Sequence, residues 1–100
     1  MGCPDIYYKR ALRYFAHALA FDDSVKLAKE LVEEKSSEKL ETYILGKKET
    51  MTEKDFYYLA GRASQLVFDE ADEEGCDAMN ASCGGVNSFE YFIGIKDNEE

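Results

Sequence analysis

Six carboxylates crowd into one short stretch of this sequence: Asp69, Glu70, Asp72, Glu73, Glu74 and Asp77. Such a group can bind a cation, share a proton in acid–base work, or present negative charge to a partner. A calcium loop needs alternating oxygen ligands around a sharp glycine turn and a later bidentate glutamate, and the run from Asp69 to Gly75 lacks that spacing. On a continuing helix the six fall within an arc of about 200°, with small residues left to pack behind them. Closely spaced carboxylates on a rod resemble the phosphates of a nucleic-acid backbone, which suits a protein that fills a basic groove in place of DNA or RNA. The plainer reading is a solvated face. Self-repulsion at this density costs stability, so a use for it is the sharper expectation.

Thiol chemistry is the next candidate. Cys76 and Cys83 stand seven residues apart, two turns of a helix and about 10 Å along one face. Neither a C-x-x-C pair nor a zinc pattern is present, since His17 is the one histidine and no fourth ligand offers itself. A dyad of either thiol with His17 would need an orienting group, and His17 falls on the polar arc of its helix. Cys83-Gly84-Gly85 leads into an expected strand rather than a helix, so it is not read as a phosphate cradle. The cysteines are therefore read as small buried hydrophobes, and no catalytic, metal or cofactor site is assigned. A thiol redox or metal protein using Cys76 and Cys83 ranks third among the functions considered.

The charge is placed unevenly. Residues 1–62 carry 11 basic and 11 acidic side chains, whereas residues 63–100 carry one lysine and ten acids, which accounts for the whole net charge of −9. That balance repels nucleic acid and anionic membranes and attracts basic protein surfaces. With 45% hydrophobic residues in 100, the chain can bury the core of one domain, 1–100. The longest apolar stretch, 18–21, is far short of the ~20 residues that span a bilayer. The opening Met1-Gly2-Cys3 lacks the Ser or Thr at position 6 that myristoylation favours, having Ile6 there. Three cysteines cannot all pair within one chain, which fits a reducing compartment. A soluble, cytoplasmic protein is expected.

The elements that must carry these residues read as helices. Pro4-Asp5 opens the first, with Tyr8, Leu12, Phe15 and Leu19 on one stripe and Tyr7, Ala11, Tyr14, Ala18 and Phe21 beside it. Its outer arc is a basic ridge of Lys9, Arg10, Arg13 and His17, whose plain role is to pair with the chain's own acids. Asp22, Asp23 and Ser24 cap a second helix that carries Val25, Ala28, Leu31 and Val32 up to Lys35. Leu40, Tyr43 and Ile44 predict a third that stops at Gly46, although 41–45 also reads as a short strand. Thr52 and Asp55, flanked by Met51 and Phe56, form a capping box with a hydrophobic staple. The long helix beyond this cap buries Phe56, Leu59, Ala60, Ala63, Leu66 and Val67, then Ala71, Gly75 and Ala78. Beyond Gly84-Gly85, the alternation of Phe89, Tyr91, Ile93 and Ile95 predicts a C-terminal strand, 89–95, which must find a partner edge.

The fold class expected is mainly α, with three to four helices and that strand, or α+β if 41–45 is also a strand. Seven tyrosines and six phenylalanines exceed the needs of a small helical core, and Tyr57, Tyr58 and Tyr91 are read with the acids as partner-binding residues. The function expected is a non-enzymatic inhibitor or regulator that covers a basic surface of another protein, such as a nucleic-acid-binding protein or nuclease. By size and charge alone this is the type of phage-encoded inhibitors of host defence, anti-CRISPR or anti-restriction. The alternative is a homo-oligomeric scaffold, a homodimer for instance, joined through strand 89–95 and the aromatic stripes.

Overall fold

A computed structural model describes residues 6–76 and 85–94, and among these the chain is mainly helical. Five helices are described where three to four were expected: α1 (Ile6–Phe21), α2 (Val25–Glu33), α3 (Ser37–Thr50), α4 (Glu53–Glu73) and α5 (Asn87–Ile93). The expected helix start at Pro4-Asp5 lies outside the described residues, as do Asp77, Ala78 and Cys83.

Helix α1 is the hub, in contact with all four others. Tyr7, Ala11, Leu12, Phe15, Ala16, Leu19 and Ala20 are buried along it, so more than half its circumference is covered. Phe15 lies at the centre, its ring 4.9 Å from that of Phe56 on α4 and 5.7 Å, edge-on, from that of Phe89 on α5. These distances suit tilted and T-shaped aromatic pairs. Phe21, expected on the second stripe, is instead exposed at the α1–α2 turn.

The caps follow local chemistry. Ser24, Ser36 and Thr52 accept from the backbone N–H groups of Leu27, Lys39 and Asp55, respectively. Met51 and Phe56 both pack into the core, as a staple should. Residues 41–45 are helical, and α3 runs through Gly46 to Thr50, because Lys47, Lys48 and Glu49 continue the helix and the next cap comes only at Thr52.

Two further expectations are corrected. The predicted strand 89–95 is not formed: its described part, up to Gly94, is helix α5 and the turn that ends it. Phe89, Phe92 and Ile93 also fit an i, i+3, i+4 stripe, and a helix satisfies its own backbone where a lone strand has no partner. Phe89 and Ile93 are fully buried, while Tyr91 faces solvent. Gly94, at φ 93°, ends α5, and the ammonium of Lys48 donates to the Ile93 carbonyl at 3.3 Å. The second correction is the end of α4. Gly75 has φ 94°, its N–H donates to the Asp72 carbonyl, and the Cys76 N–H reaches back to Ala71 at 2.8 Å. That pair of bonds is a Schellman turn, so α4 carries Asp69, Glu70, Asp72 and Glu73 but stops there instead of continuing through Gly75.

Candidate functional site

The acidic stretch straddles this turn. Asp69, Glu70, Asp72 and Glu73 occupy the last turns of α4, and Glu74 is its C-cap. Their side chains divide into two i, i+4 rows. The row of Glu70 and Glu74 faces α1. There the Tyr14 hydroxyl lies 2.7 and 2.6 Å from the two carboxylate oxygens of Glu70. The guanidinium of Arg10 sits 3.0 Å from Glu74 and 3.4 Å from Glu70, and the Tyr7 hydroxyl donates to Glu74 at 3.2 Å. The row of Asp69 and Glu73, with Asp72 beside it, faces solvent, and Gln65 donates to Asp69 at 3.0 Å.

The basic ridge of α1 is thus partly consumed by the chain's own acids, through Arg10. Glu70 and Glu74 nevertheless keep 42% and 48% of their side-chain surface, so they are anchored without being hidden. The phenols register this environment. Hydrogen bonding to Cys76 and burial, followed by the hydrogen bond and negative charge of Glu74, push Tyr7 up to about 12. Burial first, and then Glu70, push Tyr14 up to about 12.

Helix α4 ends without a basic residue in its last turn. Its backbone dipole places partial negative charge there, so each carboxylate opposes the field of the helix that carries it. Arg10 is the one cation that forms ion pairs with this stretch among the described residues.

The aromatic residues expected to join the acids do not gather around them. Tyr57 is half-buried against the core, near Gly94. Tyr58 is exposed near the start of α4, about 16 Å of helix rise from Asp69. Tyr91 is exposed on α5. The residues that do reach the acids, Tyr7, Arg10 and Tyr14, lie 56 or more positions away in sequence. The basic ridge signals this role for Arg10, whereas Tyr7 and Tyr14 carry no sign of it in the sequence beyond sharing one face of α1 with that arginine.

Comparison with protein families, curated proteins and solved structures gives no match. The chemistry of the chain is therefore read from its own side chains. Cys76 is a half-buried thiol that accepts from the Tyr7 hydroxyl at 3.2 Å. Because α4 ends at Glu73, Cys76 stands beyond the helix that was expected to align it with Cys83. His17 lies ten residues further along α1 than Tyr7, about 15 Å of rise, and its ring contacts Phe21, so it is not brought to Cys76. Among the described residues no three His, Cys, Asp or Glu side chains converge as metal ligands. Nor is any helix there long and apolar enough to cross a membrane.

Two hollows flank the outer face of α4. One, of about 270 Å³, runs between α1 and α4 and is lined by Tyr14, His17, Ala18, Leu59, Arg62, Ala63 and Leu66. The other lies among Arg62, Gln65, Leu66 and Asp69. Leu66, expected in the core, is half exposed between them.

Proposed function

We propose that this protein is a non-enzymatic, acidic interaction module that inhibits or regulates another protein by covering its basic, nucleic-acid-binding surface with the C-terminal end of α4. The observation that carries this reading is the density and anchoring of the carboxylates. Five of them, at 69, 70, 72, 73 and 74, span about 7.5 Å of helix axis. That is roughly one charge per 1.5 Å, or one per 2 Å once Arg10 is set against them, beside about one per 1.7 Å in duplex DNA. Tyr7, Tyr14 and Arg10 hold two of the five in place, which lowers the cost of ordering them on binding. Like charge disfavours direct contact with nucleic acid or an anionic membrane.

The test is displacement. A protein from the source cell that is retained on the immobilised chain is loaded with labelled nucleic acid, and free chain is added. Release of the label is expected, weakening as salt rises. A chain carrying Asp69→Asn, Asp72→Asn and Glu73→Gln should release much less. A partner that keeps its nucleic acid at saturating chain, or a neutralised variant that works as well as the native protein, overturns the proposal.

A further inference from the structure

The outward face of α4 is complementary to itself. Tyr58, Arg62, Leu66, Asp69 and Glu73 recur at i, i+4, i+8, i+11 and i+15, which places them on one stripe of the helix. The stripe is exposed: Tyr58 keeps 62% and Leu66 51% of its surface, and Arg62, Asp69 and Glu73 also face solvent. It runs from a cation, through an apolar centre, to anions. Arg62 contacts Tyr58, donating to its hydroxyl at 3.2 Å with the guanidinium 5.8 Å from the ring centre. Neither Arg62 nor Asp69 forms an ion pair among the described residues. The hollows on either side of Leu66 leave space where another side chain can seat.

We propose that this face docks a second copy of the chain, with α4 packed antiparallel against α4. A twofold axis passing between Gln65 and Leu66 sets Arg62 of each copy opposite Asp69 of the other, and Tyr58 opposite Glu73. Leu66 of each copy then enters the apolar hollow of its mate. An isologous contact requires one patch that complements itself, which this order of charges provides. The parallel arrangement would set arginine against arginine and aspartate against aspartate, so the charges select the antiparallel one. This contact shares Asp69 and Glu73 with the proposed masking surface, but Glu70, Asp72 and Glu74 take no part in it, so the two are told apart at Asp72.

Sedimentation equilibrium on the full chain, from micromolar to millimolar concentration, tests it. A reversible dimer is expected. Leu66→Glu, at a half-exposed site where folding tolerates charge, should weaken dimerisation by roughly tenfold or more, with circular dichroism unchanged. Arg62→Asp and Asp69→Arg should each weaken it as well, because the symmetry creates two like-charge pairs. Their combination should restore it, since the swapped charges again face each other. Asp72→Asn should leave dimerisation intact, which separates this surface from the proposed masking role. A native chain that stays monomeric throughout, a Leu66→Glu chain that dimerises as before, or a charge swap that fails to restore association overturns the proposal. A native monomer whose Leu66→Glu variant loses a different protein partner overturns it too, and assigns the face to that partner instead.

Discussion

Tyr14 and Glu70, 56 residues apart in sequence, meet where α1 crosses the end of α4, with the phenol hydroxyl 2.7 and 2.6 Å from the two carboxylate oxygens. The contact joins the hub of the core to the most acidic part of the surface. It fixes the direction of one carboxylate while leaving it open to water.

Tyr14→Phe removes the donor and keeps the ring. A hydrogen bond to a charged group contributes up to a few kcal/mol, but Glu70 recovers water when its partner is lost. The expected cost is therefore about 1 kcal/mol. Urea unfolding of Tyr14→Phe, Glu70→Gln and the double variant would measure it. The two effects should be less than additive, because they delete one shared bond.

Alkaline pH should loosen the same joint. Tyr7 and Tyr14 are both pushed up to about 12 in the folded chain, against about 10 for a free phenol. The folded state therefore holds these protons after the unfolded state has released them. Their contribution to stability is fully present below pH 10 and is lost as pH climbs from about 10 towards 12. Phenolate absorbance should show both groups ionising late. Stability followed by urea midpoint should fall across that window, and less steeply in a Tyr7→Phe/Tyr14→Phe chain.

How much of this was legible in the sequence depended on range. The Thr52 cap and the Met51–Phe56 staple involve residues at most five apart, and their chemistry is local, so both are read directly from the chain. Gly46 and Gly75 show where local reading fails. Each could end a helix, but the residues after Gly46 continue one, and of the two only Gly75 takes the left-handed turn. The acids were visible at once, and a basic ridge that pairs with the chain's own acids was a fair expectation. That Arg10 selects Glu70 and Glu74, leaving Asp69 and Glu73 outward, depends on the crossing of α1 and α4, which composition cannot supply. Helix α5 was hidden because Phe89 and Ile93 fit both periods, and the tertiary need of Phe15 for a covering ring favours the helix.

That covering role makes α5 indispensable. Phe89 is fully buried against Phe15, so Phe89→Ala should cost about 3–5 kcal/mol through lost contacts and the cavity left behind. Truncation after Val86 removes Ile93 too, and the remaining chain should lose its cooperative thermal transition. Gly85→Ala should be nearly as harmful. At φ 132° a side chain is strained, and its Cβ would run into the backbone N and Cα of Tyr8. Scanning calorimetry of the three variants would check the order, with the truncation worst.

Neutralising the solvent-facing acids should act in the opposite direction. Asp72 and Glu73 lie in the last turn of α4, against the negative end of its dipole, beside like charges and with no cation in that turn. Asp72→Asn and Glu73→Gln remove that repulsion and leave intact the side-chain bonds from α1, since those go to Glu70 and Glu74. The doubly neutralised chain should therefore melt a few degrees higher than the native one at low salt. The gain should shrink as salt screens the charges. If the same chain also binds its partner less tightly, stability and binding are opposed at this end of α4, as expected where charge is retained for recognition. A variant no more stable at low salt would show that the carboxylates cost the fold nothing, and would remove the energetic reason to expect that something makes use of them.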